Sequence, residues 1–291
     1  MNRKIIFILL LSFLLNSSFS NAIEIKHVAP REGSTLDQYA LDLLKFLVEK
    51  SGAQAEFKIF NKFGAQTRRE MLLQDGHYDI DWLGASKEIE GRATPIRFPI
   101  FRGLLGHRVF ITNKETSKTL KRGMPFDELK NYNLIQGQGW GDVAILKDGG
   151  FSQVRTIANF ENIFNMIDLT RVDLFPRAII EPYGELRSRC NLDNKYVCTD
   201  KNMRIDDKLL LIYKLPMLYF VSPERQDIIK LLNTAFEEHY NDYLTFFNNH
   251  PLIKDALSKL KGRSIYHIKE NSSLSEETNM IADKYWLNLK M

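Results

Sequence analysis

Cysteine is scarce in this sequence, and the residues that commonly build metal sites are not spaced for one. The chain of 291 residues contains two cysteines and six histidines. No pair of histidines has the i, i+4 spacing with which one helix face holds a zinc ion. The Gly-x-Ser-x-Gly turn of many serine hydrolases is missing too. We therefore expect no metal site, no cofactor and no catalytic residues.

The sequence also lacks a strong charge of either sign. Its 40 Lys and Arg residues against 36 Asp and Glu residues give a formal net charge of +4. Nucleic-acid-binding domains usually carry a strongly basic face, so this balance argues against nucleic acid as a partner. Beyond the N-terminus the chain has no apolar run of the roughly 20 residues that a membrane-spanning helix needs.

The N-terminus has the three parts of a secretory signal peptide. Arg3 and Lys4 form a positive start, residues 5–15 are apolar except for one serine, and residues 20–22 are small. The apolar run is about half as long as a membrane span, so an uncleaved anchor is the lesser alternative. We predict that residues 1–22 are removed and that a soluble mature chain, starting near Ile23, reaches the periplasm.

The two cysteines, Cys190 and Cys198, are close in sequence. In an oxidising compartment such a pair predicts a disulfide that closes and stabilises a short loop. A catalytic thiol is the alternative, but no histidine stands nearby in the sequence to activate it.

The first part of the mature chain alternates between strands and helices. Strands are predicted at 23–29, 55–60 and 78–83, with helices from Thr35 and near 65–74 between them. This β-α-β-α-β order predicts a parallel sheet with helices on its faces. A second α/β unit begins near residue 110. Further on, Ser222 followed by Pro223 predicts the start of a later helix.

Two extended apolar stretches, 96–113 and 209–221, connect the α/β units. They predict two lobes with a cleft between them, the first lobe made of 23–108 and 216–291 and the second of 109–215. Ligands of such sheets bind beyond the carboxyl ends of the strands. Four segments should therefore meet at the cleft: 32–34, 82–86, 137–142 and 175–181.

One of these segments begins the glycine-rich stretch QGQGWGDVAILKDGG, residues 136–150. A P-loop would end in Gly-Lys-Ser/Thr, whereas this turn ends in Gly-Trp-Gly-Asp. A dinucleotide fingerprint matches only in part, and an exported protein meets few free nucleotides. The turn therefore argues against a nucleotide.

A strand, a glycine turn and a helix start present free backbone N–H groups that suit a carboxylate-sized anion. Asp142 opposes this use if it faces the ligand, and as a helix cap it occupies some of those donors. Trp140 can form a flat apolar wall. The alternative is a plain tight turn with Trp140 packed in the core.

The order of elements and several motifs resemble the periplasmic solute-binding proteins of ABC importers, in the polar amino-acid-binding group (family 3, type 2 periplasmic-binding fold). The resemblance extends from about residue 23 to about residue 251. In GRATPIRFPIFRGLLGHRVFI, Arg92 matches the family's arginine that grips a ligand carboxylate, and Phe98 follows at the matching spacing. Ser86 lies near the family's polar contacts just before that arginine.

The glycine turn resembles the family's strand-Gly-Thr-Thr-helix element, with Trp140 and Gly141 in place of the two threonines. RVDLFPRAIIEP resembles the family's Asp-Ala stretch, with Asp173 in place. Where amino-acid binders then carry an acid for the ligand ammonium, this chain has Arg177, followed by Glu181. The extra arginine favours a more anionic ligand, since guanidinium binds carboxylate in a bidentate way.

The resemblance thus implies a ligand site whose members come from both predicted lobes: Trp82, Ser86, Arg92, Gly139, Trp140, Gly141, Arg177 and Glu181. Each has a simpler alternative. Arg92 can be a solvated helix-end charge, Arg177 can form a surface salt bridge with Glu181 or Asp173, and Trp82 can belong to the core. Arg102 and Arg108 flank the presumed hinge and are interpreted mainly as solvated charges.

The function implied is capture of a small carboxylate-bearing ligand, an amino acid or a related organic anion, by a monomeric protein that serves a membrane permease. The resemblance implies a binding protein and not an enzyme. Two alternatives stay open. One is a ligand-sensing module for a signalling partner. The other is a small-carboxylate lyase or dehydratase on the same fold, with Glu181 or Asp173 as a general base.

Overall fold

The structure is a computed structural model that describes residues 22–31, 33–61 and 66–288. The predicted signal peptide lies outside these ranges except for Ala22, and so does Glu32 of the predicted cleft. Within the described ranges, no helix has both the length and the apolar character needed to cross a membrane.

Strands and helices alternate along most of the described chain. The strands are β1 (Ile23–Val28), β2 (Ala55–Phe60), β3 (Ile80–Gly84), β4 (Thr94–Ile96), β5 (His107–Asn113), β6 (Leu134–Gly137), β7 (Val154–Ile157), β8 (Leu174–Ala178), β9 (Met203–Ile205), β10 (Leu209–Ile212), β11 (Met217–Val221) and β12 (Ser264–His267). The helices are α1 (Thr35–Lys50), α2 (Gln66–Gln74), α3 (Lys87–Glu90), α4 (Lys114–Thr119), α5 (Phe126–Leu129), α6 (Asp142–Asp148), α7 (Phe160–Asp168), α8 (Pro182–Arg187), α9 (Gln226–Glu238), α10 (Tyr240–Asn249), α11 (Pro251–Ser258) and α12 (Glu276–Asn279). Short 3-10 turns lie at Leu104–Gly106 and Asp283–Tyr285.

The described strands form two sheets, one in each lobe. The first sheet has the order β2-β1-β3-β11-β4, in which β1 runs parallel to β2 and β3 while β11 is antiparallel to its neighbours. The second sheet has the order β12-β10-β5-β8-β6-β7, with β9 paired to β5. The parallel pairs β1–β2 and β6–β7 come from the alternating strand–helix segments, as the sequence pattern predicts.

Helix α1 shows how the sequence sets these elements. Ser34 caps it, because the Ser34 Oγ accepts a hydrogen bond from the Asp37 amide at 3.2 Å. Apolar side chains at helical spacing then give α1 one buried face against the first sheet. That face consists of Leu36, Tyr39, Ala40, Leu43, Leu44 and Leu47. The predicted start at Thr35 is confirmed.

The helix predicted to begin at Ser222-Pro223 begins at Gln226 instead. The intervening residues form a turn in which the Arg225 amide donates to the Ser222 carbonyl at 3.0 Å. Arg225 Nη1 pairs with Asp79 Oδ2 at 2.5 Å and holds this turn against the first sheet. The prediction is wrong because a contact distant in sequence, which local pattern does not reveal, fixes the chain before the helix.

Two connections between the sheets lie against each other. The first ends at Gly106, immediately before β5, and the second passes Tyr213 between β10 and β11. The Tyr213 amide donates to the Gly106 carbonyl at 3.1 Å. This pair of adjacent segments is called the hinge below.

The C-terminal region contacts both lobes. β12 lies parallel to β10 in the second sheet. The following segment returns to the first lobe, where the Thr278 hydroxyl donates to Glu90 Oε1 at 2.9 Å and the Leu287 amide donates to the Arg102 carbonyl at 2.8 Å. The lobe limits given above, 23–108 with 216–291 and 109–215, stay a prediction, and β12 is a strand of the second sheet within the segment assigned to the first lobe.

Candidate functional site

A cavity of about 210 Å³ lies between the two sheets, at the carboxyl ends of β3, β6 and β8. Aromatic side chains form part of its wall, with Trp82 on the first lobe and Trp140 and Phe160 on the second. Among the described residues, the arginines that line it are Arg31, Arg69, Arg108 and Arg177. A site with apolar walls and several fixed charges is suited to a small polar ligand.

On the first lobe, two arginines of the cavity wall are held by carboxylates. Arg31 Nε lies 2.7 Å from Asp37 Oδ2, and the Trp82 indole N–H donates to Asp37 Oδ1 at 2.9 Å. Arg69 of α2 lies 2.5 Å from Asp81 Oδ1, a carboxylate that is fully buried on β3. These bonds fix both guanidinium groups in the part of the cavity wall that the first lobe forms.

Asp37 stays ionised in this setting. Burial favours its neutral form, yet the charge and hydrogen bonds of Arg31, together with the bond from Trp82, lower the pKa of Asp37 to about 2. A carboxylate held in this way remains charged at any pH near neutrality.

In β5 of the second sheet, Arg108 is the largest fully buried side chain among the described residues, with 2% of it exposed. Its guanidinium lies 2.5 Å from Asp142 Oδ1 and 3.3 Å from Glu181 Oε2, and it packs over the Tyr213 ring. Burial raises the pKa of Tyr213 well above its usual value, so its hydroxyl stays protonated and donates to Asp142. Among the described residues, the Arg108 Nε has no hydrogen-bond partner.

Arg177 is also buried, with 3% of its side chain exposed. Its Nη2 lies 2.5 Å from Glu181 Oε1, and its Nε donates to Glu185 Oε2 at 3.0 Å. Burial raises the pKa of Glu181, although the charge of Arg177 opposes that rise. The guanidinium lies over the Trp140 ring, 5.0 Å from its centre.

The arginines of the cavity wall are all paired with carboxylates of the chain. Each lining arginine has at least one carboxylate partner, from the set Asp37, Asp81, Asp142, Glu181 and Glu185. Buried charges are tolerated when they are paired in this way. The wall therefore places no excess of positive charge on the cavity.

The structure brings five of the predicted site residues to the cavity wall: Trp82, Trp140, Gly141, Arg177 and Glu181. Gly139 lies beside the cavity, and its backbone has a left-handed conformation with φ +82°. Ser86 caps α3 through a bond from the Ile89 amide, and Arg92 pairs with Glu70. These two residues are not in the cavity wall, and the role of Arg92 as a carboxylate clamp stays a prediction.

Three interpretations of individual residues change with the structure. Arg108 was expected to be a solvated hinge charge, but its carboxylate partners allow it to be buried. Asp142 was considered as a helix cap, but Gly141 is at the cap position and the Asp142 carboxylate binds Arg108. Arg177 does form a salt bridge with Glu181, inside the protein and not at its surface.

Arg31, Asp37 and Arg69 belong to the site but are not among the residues predicted for it. One signal was available, because Arg31 directly precedes the segment predicted at the cleft and Asp37 is in the first turn of the helix that follows. No local sequence pattern marks Arg69, since its position depends on an ion pair with Asp81 of a different element, β3.

Segments of the two lobes approach each other at two places near the cavity. A Cβ added to Gly139 would lie 3.2 Å from Thr67 Oγ1 of α2. On the other side, a Cβ added to Gly184 of α8 would lie 3.4 Å from the Gly33 carbonyl oxygen. The two lobes therefore approach each other closely beside the cavity.

Cys190 and Cys198 form the predicted disulfide after α8. The same short loop contains a bridge between Leu192 and Cys198. The disulfide lies outside the cavity wall and stabilises the loop next to the helix that contains Glu185.

No protein-family model matches the chain, and neither does any curated protein sequence. Solved structures do match. An amino acid ABC transporter substrate-binding protein from Streptococcus pneumoniae, bound to L-arginine, has a TM-score of 0.53 and 12% identity, over 81% of this chain and 94% of its own. A Salmonella typhimurium periplasmic binding protein with high arginine specificity has a TM-score of 0.55 and 15% identity, over 78% and 98%.

A third neighbour is the periplasmic VFT2 domain of Bordetella pertussis BvgS, with a TM-score of 0.55 and 14% identity, over 78% of this chain and 92% of its own. The chain has the two-lobed periplasmic-binding-protein fold. This confirms the predicted α/β class and the type 2 fold. At such low identity the likeness establishes the fold, and the cavity between the lobes is where that fold leaves room for a ligand.

Proposed function

We propose that the chain is a periplasmic solute-binding protein that captures a small carboxylate-bearing ligand, an amino acid or a related organic anion, for an ABC importer. The observation that carries the proposal is the cavity between the lobes, which residues of both lobes line. Its volume of about 210 Å³ is below the range of about 300–1,000 Å³ that is typical of pockets for drug-sized ligands. Support also comes from the neighbours that bind amino acids and from the signal-like N-terminus.

We assign the ligand carboxylate to Arg31 in preference to Arg92. Arg31 lines the cavity, and 40% of its side chain remains exposed beside Asp37. Asp37 accepts from its Nε and Nη2, so we assign Nη1 to the ligand carboxylate. Trp82 and Trp140 supply flat walls for the rest of the molecule.

A zwitterion suits these charges better than a dianion does. Its carboxylate can share Arg31 while its ammonium group lies near Asp37, so the ligand adds no net charge to the wall. A second negative charge would compete with the carboxylates that already hold the arginines. The family resemblance favours a more anionic ligand only while Arg177 is considered without its partners Glu181 and Glu185.

Closure of the lobes completes the site. A ligand that first binds Arg31 on the first lobe meets the Gly139 turn and Trp140 when the second lobe closes. Exclusion of water then strengthens each charged contact, because the effective dielectric constant falls. A ligand that contacts both lobes favours the closed form, and the hinge beside Gly106 is where the motion is absorbed.

A thermal-shift screen of the mature chain, from residue 23, tests the proposal. The ligands are neutral, acidic and basic amino acids, dicarboxylates and keto acids. A ligand at about 100 times its dissociation constant adds roughly 2.7 kcal/mol to the free energy of unfolding, which raises the melting temperature by several degrees. A response to none of these compounds would contradict the proposed function.

The BvgS neighbour favours one alternative, a ligand-sensing module for a signalling partner. Uptake of the identified ligand, measured in a strain that lacks the gene, separates the two roles. Loss of uptake supports the importer. Unchanged uptake with an altered transcriptional response to the ligand supports the sensor.

The enzyme alternative has less support in the geometry. Asp173 is not in the cavity wall and accepts bonds from the Asn133 amide at 2.8 Å and from the Thr116 hydroxyl at 3.3 Å. Glu181 is held by Arg177 and by the Ala178 amide. A general base needs a position from which it can reach the substrate proton, and these bonds orient both carboxylates towards the protein.

A further inference from the structure

The guanidinium group of Arg177 lies in a cage of aromatic rings. It is 5.0 Å from the centre of the Trp140 ring, 5.1 Å from that of Phe175 and 5.6 Å from that of Phe160. Guanidinium is planar and weakly hydrated, so it gains from aromatic faces both by stacking and by cation–π attraction. These rings come from β8, from the glycine turn and from the start of α7.

Carboxylates complete the same cage. Glu181 and Glu185 both bind the Arg177 Nη2, and Glu185 also accepts from the Nε at 3.0 Å. Two carboxylates and three aromatic rings form a receptor for a planar monocation, with bidentate bonds on its edge. The chain itself supplies the cation, from the cavity wall.

We propose that Arg177 determines specificity by filling this guanidinium site from within the chain. Its own side chain then excludes ligands with a cationic side chain, such as arginine, and leaves the cavity to a short zwitterion. This inference rests on the proposed function for the position of the ligand. Glu181 and Glu185 are already used by one buried cation, and a second cation in the cage would meet a like charge at close range.

The volume of the cavity agrees with this role. About 210 Å³ remains between the lobes with Arg177 in place. Truncation of Arg177 to glycine removes a long side chain from the wall. Glu185 then loses its arginine, and Glu181 keeps only Arg108, at 3.3 Å. The enlarged site then matches a free guanidinium ion in shape and in charge.

Chemical rescue tests the cage directly. The variant Arg177→Gly is compared with the wild-type chain in a thermal-shift assay, with millimolar guanidinium chloride and with sodium chloride at equal ionic strength. We expect a lower melting temperature for the variant and a rise of about 3 °C or more with guanidinium but not with sodium. The wild-type chain should show no rise. Equal behaviour of the two salts on the variant would overturn the proposal.

Arg189→Ala is the matched control. Arg189 also lies over aromatic rings, 4.1 Å from the centre of Phe164 and 5.4 Å from that of Phe160, and pairs with Glu161. Its partner carboxylate is 62% exposed, so no closed cage remains after truncation. Guanidinium should not raise the melting temperature of this variant. A rescue as large as that of Arg177→Gly would show that any arginine truncation responds, and would refute the cage.

A second measurement needs no variant. Calorimetric titration of the wild-type chain with L-arginine should show no saturable binding, whereas saturable binding would refute the exclusion. If Arg177→Gly aggregates, the readout becomes its refolding yield with and without guanidinium, and an unchanged yield counts against the cage. If the wild-type chain binds no ligand of the screen, the proposed function fails, while the rescue experiment still decides whether the cage exists.

Discussion

Gly106 is the residue at which the two connections of the hinge pack most closely. A Cβ added there would overlap the carbonyl oxygen of Tyr213 and would lie 3.1 Å from its carbonyl carbon and 3.2 Å from the Leu215 nitrogen. All of these are backbone atoms, so no side-chain rotation relieves the overlap. We therefore predict that Gly106→Ala forces the two connections apart.

The expected loss has two sources. Overpacking in a close-packed region usually costs about 1–3 kcal/mol. Separation of the connections also weakens the bond from the Tyr213 amide to the Gly106 carbonyl, a bond of 3.1 Å, and such a bond contributes about 0.5–1.5 kcal/mol. Together they predict a loss of about 3 kcal/mol in the free energy of unfolding. For a chain of this size the melting temperature should fall by about 5 °C or more.

Gly91→Ala is the control for this substitution. Gly91 has φ −75°, and an added Cβ would lie 3.5 Å from the carbonyl oxygens of Glu88 and Lys87, which is ordinary contact. Urea unfolding, followed by tryptophan fluorescence, gives the free energy of unfolding for both variants and for the wild-type chain. If Gly106→Ala and Gly91→Ala have equal stability, the hinge is not packed as the structure shows and the reasoning is refuted.

Three further predictions concern ionisation, ligand binding and the disulfide. The pKa of Asp37 is about 2 in the folded chain and about 3.9 in the unfolded chain. Its contribution to stability, about 2 kcal/mol, is therefore present above pH 4 and lost as pH falls towards 2. Urea unfolding should show the stability difference between wild type and Asp37→Asn shrinking over that window, and a constant difference would contradict the prediction. Arg31→Ala should abolish the ligand-induced thermal shift while Arg92→Ala keeps it, and the reverse result would restore Arg92 as the carboxylate clamp. Replacing both Cys190 and Cys198 by serine should lower the free energy of unfolding in urea by about 2–3 kcal/mol and leave the ligand affinity in calorimetric titration unchanged. An unchanged urea midpoint would mean that the loop is equally ordered without the disulfide.

Much of the fold could be predicted from the sequence because its signals are local. Helix α1 follows from a serine cap and apolar residues at helical spacing, and the parallel pairs follow from the alternation of strands and helices. The start of α9 could not be predicted, because Arg225 reaches Asp79 in another part of the chain. The return of the chain as β12 cannot be predicted for the same reason, since its partner β10 lies more than 50 residues earlier.

The candidate site was predicted less completely. The glycine turn was found because its glycines stand together in sequence, and Trp140 and Gly141 came with it. A local pattern predicts Arg108 as a solvated charge, because it does not reveal the ion pair with Glu181, 73 positions away. The net charge of the cavity wall depends on such distant pairs, and local patterns do not reveal it.

The pairing of the cavity charges also bears on how a ligand can be selected. An unpaired arginine attracts any small anion, since Coulomb attraction in a low-dielectric site is strong and has little dependence on shape. Arginines that already hold carboxylates offer a ligand only the donors that remain, such as the exposed part of Arg31. A ligand must then match the positions of those donors and of the walls formed by Trp82 and Trp140. Internal pairing therefore converts a general affinity for anions into a requirement for shape, and for this reason we expect the cleft to distinguish among short zwitterions by their side chains.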